Sequence, residues 1–408
     1  MAAVVQTLQP ADVMHVSEDV VSDPSGELTV EVLNLAEVYR QGLPELAPEL
    51  IHGVLRQGHK LLIAAPSKAG KSFALVELAV AIAEGRSWLG FKCSQGRVLY
   101  LNLEIDPASF LSRIDKVYDE LATDRKSTGN IDVINLRGRS PSISNLVPLI
   151  VEQNRKRNYA AVVLDPVYKI MAGGDENAAG EIGEFCNQLD RIASETGASV
   201  IYCHHFSKGA QGQKAAIDRA SGSGVFGRDP DAIVTLSELK RTPDAERWLD
   251  KHYETVDPLW RDSRAKDGMY KAIRLEHIER VTAWRVEFVL REFATPSPVN
   301  VWFRYPVHVV DRDEILLNVP IVDNSAQGKQ RDQFENDIET LEKTVLAIGN
   351  GEPVPAKKLI EVLGIGSPNT LKNRVKESTK LELEHLDGKQ SSPLYVRPIR
   401  QGVSQPID

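Results

Sequence analysis

Cysteine is scarce in this sequence: three residues in 408, Cys93, Cys186 and Cys203, stand far apart with no C-x-x-C spacing. That excludes a disulfide framework and a thiolate zinc site, and a reducing, cytoplasmic location is expected. Long apolar runs are missing too, none reaching the roughly eighteen residues that a membrane-spanning helix needs. From Met1 to Pro24 there is neither Lys nor Arg, so secretion and membrane spanning are both unexpected. Positive charge is not in surplus: 49 Lys and Arg against 57 Asp and Glu give a net charge of −8. A chain coated with basic residues is excluded, but a locally basic pore or groove is not, because net charge speaks to solubility and bulk attraction. With 42% hydrophobic and 26% charged residues, the disordered, collagen-like and fibrous classes fall away. No solenoid repeat or low-complexity tract is visible.

What is present is an alternation. Residues 1–27 mix Ser, Asp, Pro and isolated Val without a period and read as a poorly ordered lead-in. Residues 28–58 read as an N-terminal helical arm, broken at Pro44 and Pro48, that packs on the core or on another subunit. Over 59–321, short apolar runs (60–65, 97–103, 131–136, 159–165, 198–204) alternate with amphipathic stretches (70–85, 107–121, 146–158, 181–196). This predicts an α/β domain with helices on both faces of a mainly parallel, doubly wound sheet. Beyond Asp231, β-branched and aromatic alternation in 232–236, 269–275, 284–291 and 300–303 predicts antiparallel strands extending that sheet, with 240–268 as a helical insertion.

The segment L-L-I-A-A-P-S-K-A-G-K-S, residues 61–72, sets a strand, a loop of small residues and a helix start in the order of a P-loop. The chemistry accounts for the residue types. The loop of Ala65, Pro66, Ser67, Lys68, Ala69 and Gly70 turns backbone N–H groups toward phosphate. Lys71 reaches the terminal phosphates and Ser72, followed by Phe73, offers a hydroxyl to Mg2+, so ATP and Mg2+ are the expected cofactors. Ala65 stands where the P-loop pattern has its first glycine, which a negative φ permits. Lys68 adds a second cation.

Two carboxylates complete the pattern. The run Y-A-A-V-V-L-D delivers Asp165 at the C-terminal end of a buried strand, the edge where open α/β sheets bind ligands. Glu104 ends V-L-Y-L-N-L-E and can orient the water that attacks the γ-phosphate, because Asp106 before Pro107 already accounts for the helix cap. A further apolar strand ends in His204 and His205, which alternation sends to opposite faces.

The motifs P-S-K-A-G-K-S, V-L-Y-L-N-L-E-I-D, V-V-L-D-P, H-H-F-S-K-G and R-A-S-G-S-G-V-F together resemble the RepA-type members of the RecA-like P-loop ATPases, over about residues 48–310. The resemblance implies a homohexameric ring that couples ATP hydrolysis to movement along single-stranded DNA, of the kind found on plasmids, phages and integrative elements. It assigns nucleotide binding to Lys71 and Ser72, catalysis to Glu104, the magnesium-linked carboxylate to Asp165 and γ-phosphate sensing to His205, with His204 as the other candidate. It also implies that the Gly- and Ser-rich loop 206–228, with Lys208, Lys214 and Arg219, faces the pore and its DNA. Arg291 takes the place of an arginine acting on the neighbouring subunit's nucleotide, although Val289 stands where related rings often have a Lys; Arg285, Arg274 and Arg280 compete with it. A RecA-like recombination mediator or regulatory ATPase that does not unwind DNA is the alternative.

A polar stretch at 322–331 reads as a linker, 332–400 as a small domain, and 401–408 as a tail. Three helical segments, the third opened by Ser367 before Pro368, and then two strand-like runs resemble a winged helix. Between Pro353 and Arg400 nine Lys or Arg face five Asp or Glu, and such a domain contacts DNA or a protein such as a replication-initiation or loading factor.

Overall fold

The computed structural model describes residues 32–66, 69–139, 141–171, 179–205, 227–256, 280–323, 325–385 and 392–399. The chain divides into two compact units, the first ending at Ile321 and the second running on from Val322.

Among the described residues the main sheet of the first unit has nine strands: β1 (Lys60–Ala65), β2 (Arg97–Asn102), β3 (Ile131–Asn135), β4 (Tyr159–Asp165), β5 (Ser199–His205), β6 (Ala232–Glu238), β7 (Thr282–Leu290), β8 (Val299–Arg304) and β9 (Val307–Val310). Their order is β9-β8-β7-β6-β1-β5-β4-β2-β3. The stretch from β6 to β3 is parallel, and β7, β8 and β9 continue it antiparallel. Helices α2 (Lys71–Glu84) and α3 (Pro107–Glu120) cover one face, α4 (Ile143–Arg157) and α5 (Ala179–Thr196) the other. Alternation along the strands explains both layers. In β1, Leu61 and Ile63 join the core under α2 while Leu62 and Ala64 join the one under α4 and α5. The mixed α/β fold with a large, mostly parallel central sheet thus agrees with the alternation in the sequence.

Three details differ from the sequence expectations. Strand β6 is not part of the antiparallel extension: it pairs parallel with β1, Ala232 opposite Leu61, and only its other edge meets β7 antiparallel. Its run A-I-V-T-L-S is buried at every position, as a central strand covered on both faces requires. The short strand β9 has no counterpart among the expected strands. The N-terminal segment divides in two: helix α1 (Leu35–Gln41), capped by Asn34, buries no residue, whereas the hairpin of Glu49–Ile51 with Leu55–Arg56 belongs to the main core. Helix α6 (Pro243–Val256) lies within the expected insertion; 257–279, with the expected strand at 269–275, lies outside the described residues.

In the second unit, helix α7 (Ala326–Gly349) is followed by β10 (Val354–Pro355), α8 (Ala356–Leu363), α9 (Pro368–Glu377), β11 (Leu381–His385) and β12 (Leu394–Pro398). The strands form an antiparallel sheet in the order β10-β12-β11 around Leu341, Val345, Leu359, Leu371, Val375 and Val396. Helix α7 starts inside the stretch read as a linker, because the Ser325 hydroxyl accepts the Gly328 N–H at 2.9 Å and caps it there. Among the described residues no helix is long and apolar enough to cross a membrane.

Candidate functional site

Strand β1 ends at Ala65, and the chain turns into α2 through Gly70, whose φ of +76° is left-handed. A Cβ on Gly70 would stand 3.1 Å from the Phe303 ring and 3.2 Å from Cε1 of His308, so both conformation and space call for glycine. Ala65 closes its strand and is not among the positive-φ residues, which is why alanine serves there. The Lys71 ammonium is buried and rests on the carbonyl oxygens of Ala65 (2.9 Å) and Pro66 (2.8 Å). Burial lowers its pKa to about 8, against the opposing pull of Cys203, Asp165 and Glu104. Ser67 and Lys68 lie outside the described residues.

Strand β4 brings Asp165 to the same place. Its Oδ1 accepts from the Ser72 hydroxyl at 3.2 Å and the Cys203 thiol at 3.1 Å, and its Oδ2 accepts from the Tyr100 hydroxyl at 2.7 Å. Burial raises the carboxyl's pKa, and the three hydrogen bonds work against that rise. Burial likewise holds the Tyr100 hydroxyl and the Cys203 thiol well above their usual ranges. Ser72 and Asp165 are hard oxygen donors of the kind Mg2+ prefers, and an ion held by so few side chains fills its shell with phosphate oxygens and water. Among the described residues no group of three or more His, Cys, Asp or Glu could hold a metal.

Glu104 follows β2 in a bend and lines the same cleft as Lys71, Ser72 and Asp165, with a hydrogen bond to Tyr168. The cap of α3 is Asp106, which accepts the Ser109 N–H at 3.1 Å with Pro107 in the first turn, so Glu104 is not spent on it. Arg113, which the sequence reading missed, reaches this cleft from α3 and lies 5.0 Å from the centre of the Phe73 ring. A signal was present: Arg113 falls on the stripe of Phe110, Ile114 and Val117, a cation in an otherwise apolar face. Phe303 forms another wall, placed by the hairpin of β8 and β9. Glu77 of α2 fastens that hairpin, accepting the His308 N–H at 3.0 Å with its other oxygen 2.6 Å from His308 Nδ1.

Strand register sets His205 beside Ala65 at the head of the loop and buried His204 beside Ala64; the His205 side chain lies outside the described part. Lys208, Lys214, Arg219 and Arg274 also lie outside the described residues. Arg285 is committed to structure: its guanidinium donates to Asn300 Oδ1 and to the carbonyls of Leu316, Leu317 and Val319. Arg280 is exposed just before β7. Arg291 follows β7 and faces the start of β6, where it donates to the Arg228 carbonyl and lies 3.9 Å from Asp231. That is the sheet edge opposite the phosphate loop of the same chain.

A family profile described as an AAA domain matches residues 29–211, from the arm through the loop, both carboxylates and both histidines. A KaiC-like protein from Pyrococcus horikoshii OT3 is similar in structure at 14% identity and a TM-score of 0.39, over 64% of this chain and 93% of that one. The isolated ATPase domain of another protein is similar at 15% identity and a TM-score of 0.41, over 62% of this chain and 85% of that one. The domain match and the geometry of the cleft support a P-loop ATPase.

Proposed function

We propose that this chain is an ATP-driven, ring-forming motor that moves along single-stranded DNA, a replicative helicase of a mobile genetic element. The observation that carries the ATPase part is the convergence of Lys71, Ser72, Glu104 and Asp165 on one cleft at the C-terminal ends of parallel strands. A terminal phosphate gives Lys71 a charged acceptor in place of two neutral carbonyls. Glu104 orients the attacking water, and Arg113 meets charge on the phosphates from the side of α3. Mg2+ bound by Ser72 and Asp165 would neutralise charge that develops on the phosphate oxygens. Phe303 and Phe73 offer the base an apolar wall.

The RepA-type reading adds parts that belong to the assembly. His205, beside the head of the loop, senses the γ-phosphate. Lys208, Lys214 and Arg219 line the pore of a hexamer, and Arg291 acts on the nucleotide of the neighbouring subunit. The order α7, β10, α8, α9, β11, β12 supports a winged-helix reading of the second unit. Such a module can engage DNA or a loading protein.

The test is ATP hydrolysis and strand displacement measured with and without single-stranded DNA. Hydrolysis stimulated by the strand, together with displacement of a complementary strand, is expected. Stimulated hydrolysis without displacement replaces the helicase reading with that of a recombination mediator or regulatory ATPase. Failure of the folded protein to hydrolyse ATP under both conditions removes the motor.

A further inference from the structure

Helix α9 has two distinct faces. Leu371 and Val375 are buried in the core of the second unit. Away from it, Asn369, Lys372, Asn373 and Lys376 are all exposed, and their spacing of i, i+3, i+4 and i+7 makes one stripe, bordered at the last residue of the helix by the exposed Glu377. The third cation of the helix, Arg374, is bound to Asp337 of α7 and anchors α9. Elsewhere in the unit the pairs among the described residues are Arg331 with Asp323 and Glu335, Lys343 with Glu339, Lys380 with Glu342, and Arg397 with Glu382 and Glu384. Lys372 and Lys376 form no ion pair with a described residue, nor do Lys357 and Lys358 of α8. A groove runs beside the stripe, with Lys357, Ile360, Lys372 and His385 on its walls.

The chemistry of this face selects its partner. It holds no aromatic or arginine anchor of the kind that dominates protein interfaces. Lysines suit phosphates, and asparagine amides carry the paired donor and acceptor that match the major-groove edge of adenine. The major groove of B-form DNA admits an α-helix, whereas the deep, narrow major groove of A-form RNA does not. We propose that α9 binds duplex DNA in the major groove, with Lys372, Lys376 and Lys357 on phosphates and Asn369 and Asn373 toward base edges. The proposal rests on the winged-helix reading of this unit and not on the ATPase reading.

The test uses the full chain and a fluorescent duplex of about two helical turns, titrated at several salt concentrations. Lys372→Glu/Lys376→Glu is expected to lower duplex affinity at least about tenfold and to flatten the slope of log K against log salt by about two, one per lost phosphate contact. Lys329→Glu/Lys343→Glu on α7 changes net charge equally and is expected to stay within about twofold of the parent. Asn369→Ala/Asn373→Ala should weaken sequence preference and leave the salt slope unchanged. Matching melting temperatures verify that each variant is folded, and retained duplex binding by Lys71→Ala separates this site from the nucleotide cleft. Duplex binding undiminished by the α9 reversal overturns the proposal while leaving the winged-helix topology in place. An equal loss in the α7 control also overturns it, as does a parent protein without saturable duplex binding at about 0.1 M salt, where a protein partner becomes the reading of the face.

Discussion

Two buried lysines stand at opposite ends of the phosphate-loop strand, and their surroundings differ. Lys60 starts β1 and its ammonium meets Asp190 at 2.5 Å and both carboxylate oxygens of Asp229 at 2.9 Å. Burial alone would lower its pKa, but the two aspartates outweigh burial and hold it above the usual lysine value. Lys71, past the other end, rests on two carbonyls, and there burial wins. The same contrast holds for the acids. Asp229 and Asp231 face Lys60 and Arg291, whereas Asp165 is hydrogen-bonded by two hydroxyls and a thiol. One end of the sheet balances its charges internally and reads as structure. The other rests Lys71 on two carbonyls and Asp165 on hydroxyls and a thiol, and it reads as a place where a charged ligand belongs.

The strongest challenge to this contrast is Lys71→Ala. It should reduce ATP turnover by at least about 10³-fold, because it deletes the cation at the terminal phosphates. Since it also removes an ammonium whose burial is costly, thermal stability should stay near that of the parent; a large drop in Tm would show that Lys71 is structural after all. Arg291 tests the other end. As a residue acting on the neighbour's nucleotide, Arg291→Ala should assemble and bind ATP yet turn over about 10³- to 10⁵-fold more slowly. Mixed with Lys71→Ala, it should regain part of the activity through interfaces that pair an intact arginine with an intact loop. Full activity of Arg291→Ala alone would leave that end of the sheet purely structural.

Lys60→Met should do the opposite of Lys71→Ala. Leaving Asp229 without its cation costs on the order of 3 kcal/mol, read by chemical denaturation, with little change in ATP affinity. The smallest effect concerns pH. Above about pH 8 the nucleotide-free Lys71 progressively loses its proton, while bound phosphate favours the ammonium. Binding then takes up a proton, so ATP affinity should fall as pH rises beyond 8, by up to about tenfold per unit. Calorimetry in buffers of different ionisation enthalpy reads that proton directly, and affinity that stays flat to about pH 9.5 would contradict it.

Much of this site was legible in the sequence because its parts sit at the ends of short apolar runs. Lys71, Ser72, Glu104 and Asp165 all follow such runs, and parallel strands carry those ends to one edge. The partners of Asp165 were not legible, since Tyr100 and Cys203 look like ordinary members of buried strands. Only the register across β2, β4 and β5 makes them its donors. Phe303 and His308 were hidden for a different reason: more than two hundred residues separate them from Gly70, and only the hairpin held by Glu77 brings them there. For β6 the sequence carried the right signal and the expectation passed over it, because an unbroken apolar run implies burial on both faces.

The three cysteines lead to a practical consequence. All are buried, and burial raises Cys93 and Cys186 to about 12 and holds Cys203 well above its usual range. Alkylation requires a thiolate that a reagent can reach, so the folded protein should be nearly inert to maleimides. A single cysteine introduced at an exposed position, such as Lys343→Cys on α7, would then take a fluorophore selectively without removal of the native three. Slow labelling of the unsubstituted chain would in turn clock its unfolding, since each native thiol becomes reactive only when the surrounding core opens.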